Sequence, residues 1–75
     1  MAVHRIKTSK EYFEPVTLGL KTAELRLNDR DYKVGDWLIL EEYDSGYSGR
    51  ELTKKVIHVA DVGFIAEGYV LLSIV

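Results

Sequence analysis

The residues best suited to chemistry fall in one short stretch, Gly19-Leu20-Lys21-Thr22-Ala23-Glu24-Leu25-Arg26. An amine, a carboxylate and a guanidinium follow one another there. A guanidinium can clamp a phosphate or carboxylate in two-pronged fashion, and an ammonium adds a compact point charge. A glutamate can accept hydrogen bonds from the exocyclic amine of a base, as acidic side chains do with cytosine. Tyr43 or Tyr47 could stack on such a base, and Arg30 and Arg50 could supply further phosphate contacts. For Tyr47, ordinary loop packing fits equally well. A plainer reading of the whole stretch is a solvated strand face, with a Glu24–Arg26 ion pair contributing about 0–1 kcal/mol.

The elements that must position these residues follow from patterning. From Thr22 the chain alternates, which predicts a half-buried strand over 21–27. Ala23, Leu25 and Leu27 are expected on the core side; Thr22, Glu24, Arg26 and Asn28 form a polar outer stripe. Lys21 stands at the corner between helix and strand, where parity does not fix its direction. Upstream, Val3 to Lys7 reads as a first strand with Val3 and Ile6 as its apolar members. Thr8-Ser9-Lys10-Glu11 has capping-box form, with Thr8 as N-cap. A short or kinked helix over 9–18 is expected to bury Phe13, Val16 and Leu18, tolerate Pro15 and end at a left-handed Gly19.

Downstream, Asn28-Asp29-Arg30-Asp31 has turn chemistry. Trp37-Leu38-Ile39-Leu40 is apolar on both faces, as in a strand inside a small barrel. Asp44 to Gly49 reads as a loop, Glu51 to Val59 as a strand, and Tyr69 to Val75 as a closing strand. Glu41 and Glu42, being adjacent in a strand, are expected to point apart into solvent. The sum is one domain over residues 1–75: mixed α+β, mostly β, a small and partly open barrel of about five strands with one short helix.

The spacing G-x-K-x-x-E-x-R, the run Asn28-Asp29-Arg30-Asp31-Tyr32-Lys33-Val34-Gly35-Asp36, Tyr47-Ser48-Gly49-Arg50 and Gly68-Tyr69-Val70-Leu71 together cover most of the chain. They resemble the ASCH (ASC-1 homology) domains of the PUA-like superfamily, and within them a DUF3850-like subfamily of uncharacterised phage and bacterial proteins. The resemblance implies a PUA-like barrel and an RNA- or nucleotide-binding module built around Lys21, Thr22, Glu24, Arg26, Asn28, Arg30, Tyr47 and Arg50. It also implies an alternative, since some ASCH-like proteins are amidohydrolases acting on acylated cytidine nucleosides through a lysine, a threonine and a glutamate. Lys21 matches the lysine, but Glu24 stands where the threonine is expected, and Glu67 is only a loose counterpart for the glutamate. If there is catalysis, Lys21 and Glu24 are the candidate acid–base pair. A protein-interaction domain is the third reading, with a monomer or a weak homodimer through the first or last strand.

Composition narrows the field. Ten Lys/Arg against twelve Asp/Glu give a net charge of −2, so attraction to a polyanion must come from a local patch. With no cysteine there is neither a disulfide framework nor a thiol nucleophile. His4 and His58 lack partners at metal-ligand spacing, so no metal is expected. His58 is read as a partly buried structural histidine. The nucleophile elbow, the P-loop and the dinucleotide fingerprint are absent, and no cofactor is expected. The N-terminus lacks a signal-peptide pattern and no run is long enough to cross a bilayer, which leads to an expectation of a soluble, cytoplasmic protein.

Overall fold

The computed structural model describes residues 1–75. Five strands and one helix run in the order β1 (Val3–Ser9), α1 (Lys10–Thr17), β2 (Ala23–Leu27), β3 (Trp37–Tyr43), β4 (Tyr47–Asp61) and β5 (Tyr69–Ile74). The strands form one mixed sheet in the order β1-β3-β4-β5-β2. β1 lies parallel to β3, from Val3 opposite Trp37 to Ser9 opposite Tyr43. All other neighbours are antiparallel. β4 is long enough to serve both halves of the sheet: its first part pairs with β3, then a bulge between Val56 and His58 turns the remainder onto β5. A bulge bends a strand and increases its twist, so this corner curls the sheet.

The curl stops short of closure by backbone. β1 and β2 are the two ends of the sheet and no ladder joins them, so the expected barrel is an open one. Side chains bridge the gap instead. Arg26 on β2 donates from Nη2 to the Lys7 carbonyl on β1 at 2.8 Å, and Thr8 Oγ1 lies 3.5 Å from the same nitrogen.

The core consists of Ile6, Phe13, Val16, Tyr32, Leu38, Leu40, Val56, Val70, Leu72 and Ile74. Each fully buried Leu, Val or Phe contributes about 1.5–3 kcal/mol from removal of its surface from water. The helix covers one end of the sheet with Phe13 and Val16. Ser9, not Thr8, is its N-cap, and without a side-chain hydrogen bond, because Thr8 is drawn into β1 and buried there. Leu18, expected inside, is 66% exposed, since the helix ends at Thr17 and the chain turns away. Gly19 adopts the expected left-handed conformation, φ 74°. That turn brings the Leu20 and Lys21 amides back onto the Pro15 carbonyl, at 2.9 and 3.1 Å.

Several local expectations are overturned. β2 has its faces reversed: Glu24 is buried and Arg26 half-buried, while Leu25 and Leu27 are 57% and 48% exposed. The inner positions Glu24 and Arg26 lie opposite buried Leu72 and Val70 of β5. Alternation fixes which residues share a face, but the register with β5 decides which face is inside. The expected loop over 44–49 contracts to a tight turn at Asp44-Ser45-Gly46, with Ser45 at φ 58°, and Tyr47 already begins β4. Glu42 is buried rather than solvated, and His58 is exposed rather than partly buried. β5, the last strand, lies between β4 and β2, so it offers no free edge for pairing; β1 does.

Candidate functional site

β1 sends His4, Ile6 and Thr8 inward by simple alternation. Its end approaches the start of β2 where the helix leaves the sheet. Between them is a hollow of about 440 Å³ lined by Lys7, Thr8, Ser9, Tyr12, Lys21, Glu24, Leu25 and Arg26. Its floor is the Glu24 carboxylate, whose side chain is 5% exposed. Lys21 Nζ donates to Glu24 Oε1 at 2.7 Å and to the Ala23 carbonyl. Arg26 Nε donates to Glu24 Oε2 at 3.1 Å. One carboxylate therefore fixes two cations, each about a quarter exposed (29% and 26%).

An inventory of donors shows what remains for a ligand. Lys21 carries three N–H groups and two have partners. Arg26 engages Nε and Nη2, leaving Nη1 without a protein acceptor. Lys7 makes no ion pair; its Nζ lies 4.3 Å above the centre of the Tyr43 ring and 5.9 Å from that of Tyr47. The hollow thus presents three cations against one carboxylate already engaged on both oxygens. A hydroxyl (Thr8) and an aromatic ring (Tyr12, 54% exposed) complete its wall. Chemically this is a cradle for an anion with a planar group beside it.

A second, smaller hollow of about 200 Å³ continues along the seam and shares Lys7 and Arg26 with the first. Arg30 and Tyr32 line it. Burial pushes the Tyr32 phenol above its ordinary pKa, against the opposing effect of the Arg26 and Arg30 charges.

The structure brings Lys21, Glu24 and Arg26 together and sets Arg30 in the adjoining hollow. The remaining residues singled out in the sequence lie elsewhere. Thr22 is exposed and its carbonyl accepts from the Ile74 amide at 3.0 Å. Asn28 Oδ1 accepts from the Tyr32 amide at 3.0 Å, pinning the 28–32 turn. Tyr47 packs edge-on against Tyr43, centroids 5.2 Å apart, outside the hollow's wall. Arg50 reaches the middle of the helix: Nη2 is 2.7 Å from Glu14 Oε1, Nη1 is 3.4 Å from Glu42 Oε2, and the guanidinium lies 5.0 Å from the Phe13 ring centre. Its hydrogen bond to Glu14 holds the guanidinium pKa above the ordinary value.

Lys7, Thr8 and Tyr12 were missed as hollow-lining residues. The signal for Thr8 was present, since counting by twos from His4 and Ile6 reaches it. For Tyr12 and Lys7 no sequence signal exists, because only the β1–β2 approach makes them neighbours of Lys21.

A third polar centre lies elsewhere on β1. Asp36 accepts from the Ala2 amide at 3.0 Å and the Lys33 amide at 3.0 Å, and its Oδ2 is 2.8 Å from His4 Nε2. The Ala2 amide first, then His4 and the Lys33 amide, draw the Asp36 pKa down to about 2 despite its burial. These contacts tie the beginning of β1 to the turn before β3. Asp36, Ala2 and Lys33 also line a hollow of about 480 Å³ with Arg30 and Asp31, but both carboxylate oxygens of Asp36 are already engaged within the fold.

No group of three or more His, Cys, Asp or Glu side chains is arranged to hold a metal ion. No helix is long and apolar enough to cross a membrane.

Residues 3–74 match the family described as a domain of unknown function, DUF3850. The chain is also similar to an uncharacterized 12.9 kDa protein in the GpA 3' region of Escherichia phage P2, 41% identical over 71 residues. That match covers 93% of this chain and 65% of the phage protein, so the chain spans just under two thirds of the length of that relative.

Proposed function

The chain belongs to the DUF3850 family, and from that premise we propose that the hollow at the β1–β2 seam binds a phosphate-bearing nucleotide, alone or within single-stranded RNA. The observation that carries this reading is the pair of cations, Lys21 and Arg26, fixed by one buried glutamate while each keeps a donor aimed at no protein acceptor. Preorganised donors lose little entropy on binding, which makes a small anion site effective. Tyr12 supplies a ring for the base and Lys7 a third positive charge. The resemblance of G-x-K-x-x-E-x-R to ASCH domains supports the same ligand class.

Binding is favoured over amide hydrolysis by the same geometry. A general base needs a lone pair directed at its substrate, and both Glu24 oxygens accept from cations. Lys21 is likewise engaged as a donor on two acceptors. The test is a backbone NMR titration with cytidine monophosphate and a short single-stranded RNA. Shifts concentrated at residues 7–12 and 21–26 are expected. No shift at millimolar ligand, or shifts confined to other segments, would overturn the reading.

A further inference from the structure

The smaller hollow, where the 28–32 turn meets the seam, has polar fittings of its own. The turn is tied down at both ends. The Asn28 amide donates to the Gly68 carbonyl at 2.8 Å, and Asn28 Oδ1 accepts from the Tyr32 amide at 3.0 Å. Arg30 stands exposed between those ties, in the wall of the hollow. The arginine ion pairs and hydrogen bonds of the protein are made by Arg5, Arg26 and Arg50, so the Arg30 guanidinium is free. Tyr32 is 4% exposed, and only its backbone amide is hydrogen-bonded. No side-chain nitrogen or oxygen sealed from solvent lacks a partner. The unpaired Tyr32 hydroxyl is therefore the part of the ring that meets open space, and this hollow is the one that Tyr32 lines. Burial holds the phenol above its ordinary pKa, so at neutral pH the hydroxyl keeps its proton and can donate it.

We propose that this smaller hollow is a second phosphate subsite, so that the seam takes two successive phosphates of one nucleic-acid strand. The proposal rests on the nucleotide reading of the larger hollow and adds the length of its ligand. Arg30, Lys7 and the free Nη1 of Arg26 supply positive charge, and the Tyr32 hydroxyl supplies a neutral donor. Asp29 is the one carboxylate in the wall, so three cations stand against one anion there, with Glu24 offsetting part of the Arg26 charge. Hydrogen bonds from such cations to phosphate are roughly twice as strong as neutral ones. Size divides the roles. The hollow of about 440 Å³, with the exposed Tyr12 ring in its wall, suits a nucleoside with its phosphate. The hollow of about 200 Å³, whose one ring is the buried Tyr32, suits a phosphoryl group. Lys7 and Arg26 line both hollows and so stand between the two subsites. The phosphates of a nucleoside diphosphate share an oxygen and would crowd into one hollow. Phosphates separated by a sugar fit the division.

The experiment measures dissociation constants by NMR titration at one salt concentration, because phosphate contacts are salt-dependent. The probes are cytidine monophosphate, cytidine diphosphate and the dinucleotides CpC and pCpC, which differ by one terminal phosphate. The wild type is expected to bind pCpC about tenfold more tightly than CpC, with shifts extending to residues 28–32. The diphosphate should gain less over the monophosphate than pCpC gains over CpC. Arg30→Ala should remove the pCpC advantage while leaving monophosphate binding within about twofold of the wild type. Tyr32→Phe, which keeps the buried ring, should weaken pCpC about threefold, and Asp29→Asn should strengthen it. Equal affinities for CpC and pCpC, an advantage that survives Arg30→Ala, or a diphosphate gain as large as that of pCpC would overturn the second subsite and leave the first standing. Failure of the monophosphate and pCpC alike to bind would overturn both.

Discussion

Two buried glutamates lie in separate polar centres, each with an arginine, and they are put to different uses. Glu24 holds Lys21 and Arg26 at the edge of a hollow, and both cations keep unpaired donors. Glu42 accepts from Ser48 at 2.7 Å and faces Arg50, whose other prong is taken by Glu14 and whose flat face lies over Phe13. The first centre gathers charge where the sheet is open. The second uses charge to strap β4 to the helix where the sheet is continuous. A buried carboxylate with an arginine is therefore no sign of a ligand site by itself, and neither is one free donor, since Arg50 Nε also lacks an acceptor; the first centre differs in bringing two cations onto one carboxylate at the wall of a hollow.

The largest expected effect follows from removing the two carboxylates in turn. Glu24→Ala leaves two cations, each about three-quarters buried, without their anion, and about 2–3 kcal/mol of stability should be lost, below the 3–5 kcal/mol typical of fully buried pairs. Glu42→Ala leaves Arg50 half-exposed and still paired with Glu14, so about 1–2 kcal/mol is expected. Urea denaturation of both variants measures the gap, and equal losses would mean the two centres are equivalent.

Acid provides the next comparison, through the third buried carboxylate. The folded pKa of Asp36 lies at about 2, below its ordinary value of 3.8. Its contribution is therefore fully present above pH 4 and lost as pH falls toward 2. Thermal melts in Asp36→Asn should lack that part of the acid destabilisation seen in the wild type.

Smaller again is the effect of the arginines outside the hollow. Arg50→Ala removes packing over Phe13 as well as two ion pairs, and the melting temperature should drop by about 3–5 °C. Arg5 bridges Glu41 and Glu51 in solvent, with its side chain 57% exposed. Arg5→Ala should cost about 0–0.5 kcal/mol, an effect that salt erases in the wild type.

How much of this was legible in the sequence depended on whether a feature was local. The helix with its glycine stop, the apolar β3 and the closing β5 rest on residues near one another in the chain, and they formed as expected. The mostly-β architecture with one short helix followed from them. The face of β2 was not local. Its alternation was plain, yet Leu25 and Leu27 are outside because β5 and Arg26's reach to β1 fix the register. The burial of Glu42 was hidden in the same way, since its partners Ser48 and Arg50 lie across a turn that reads as a loop. Convergence of Lys21, Glu24 and Arg26 was signalled by spacing; Lys7, Thr8 and Tyr12 came from the seam alone.

The most direct test sets the two centres against one another as binders. A short 5′-labelled single-stranded RNA is titrated by fluorescence anisotropy into wild type, Lys21→Ala and Arg50→Ala at one salt concentration. Lys21→Ala should weaken binding at least tenfold, about 1.4 kcal/mol, while Arg50→Ala stays within about twofold of the wild type. Equal losses in both variants, or a loss in Arg50→Ala alone, would contradict a ligand site at the β1–β2 seam.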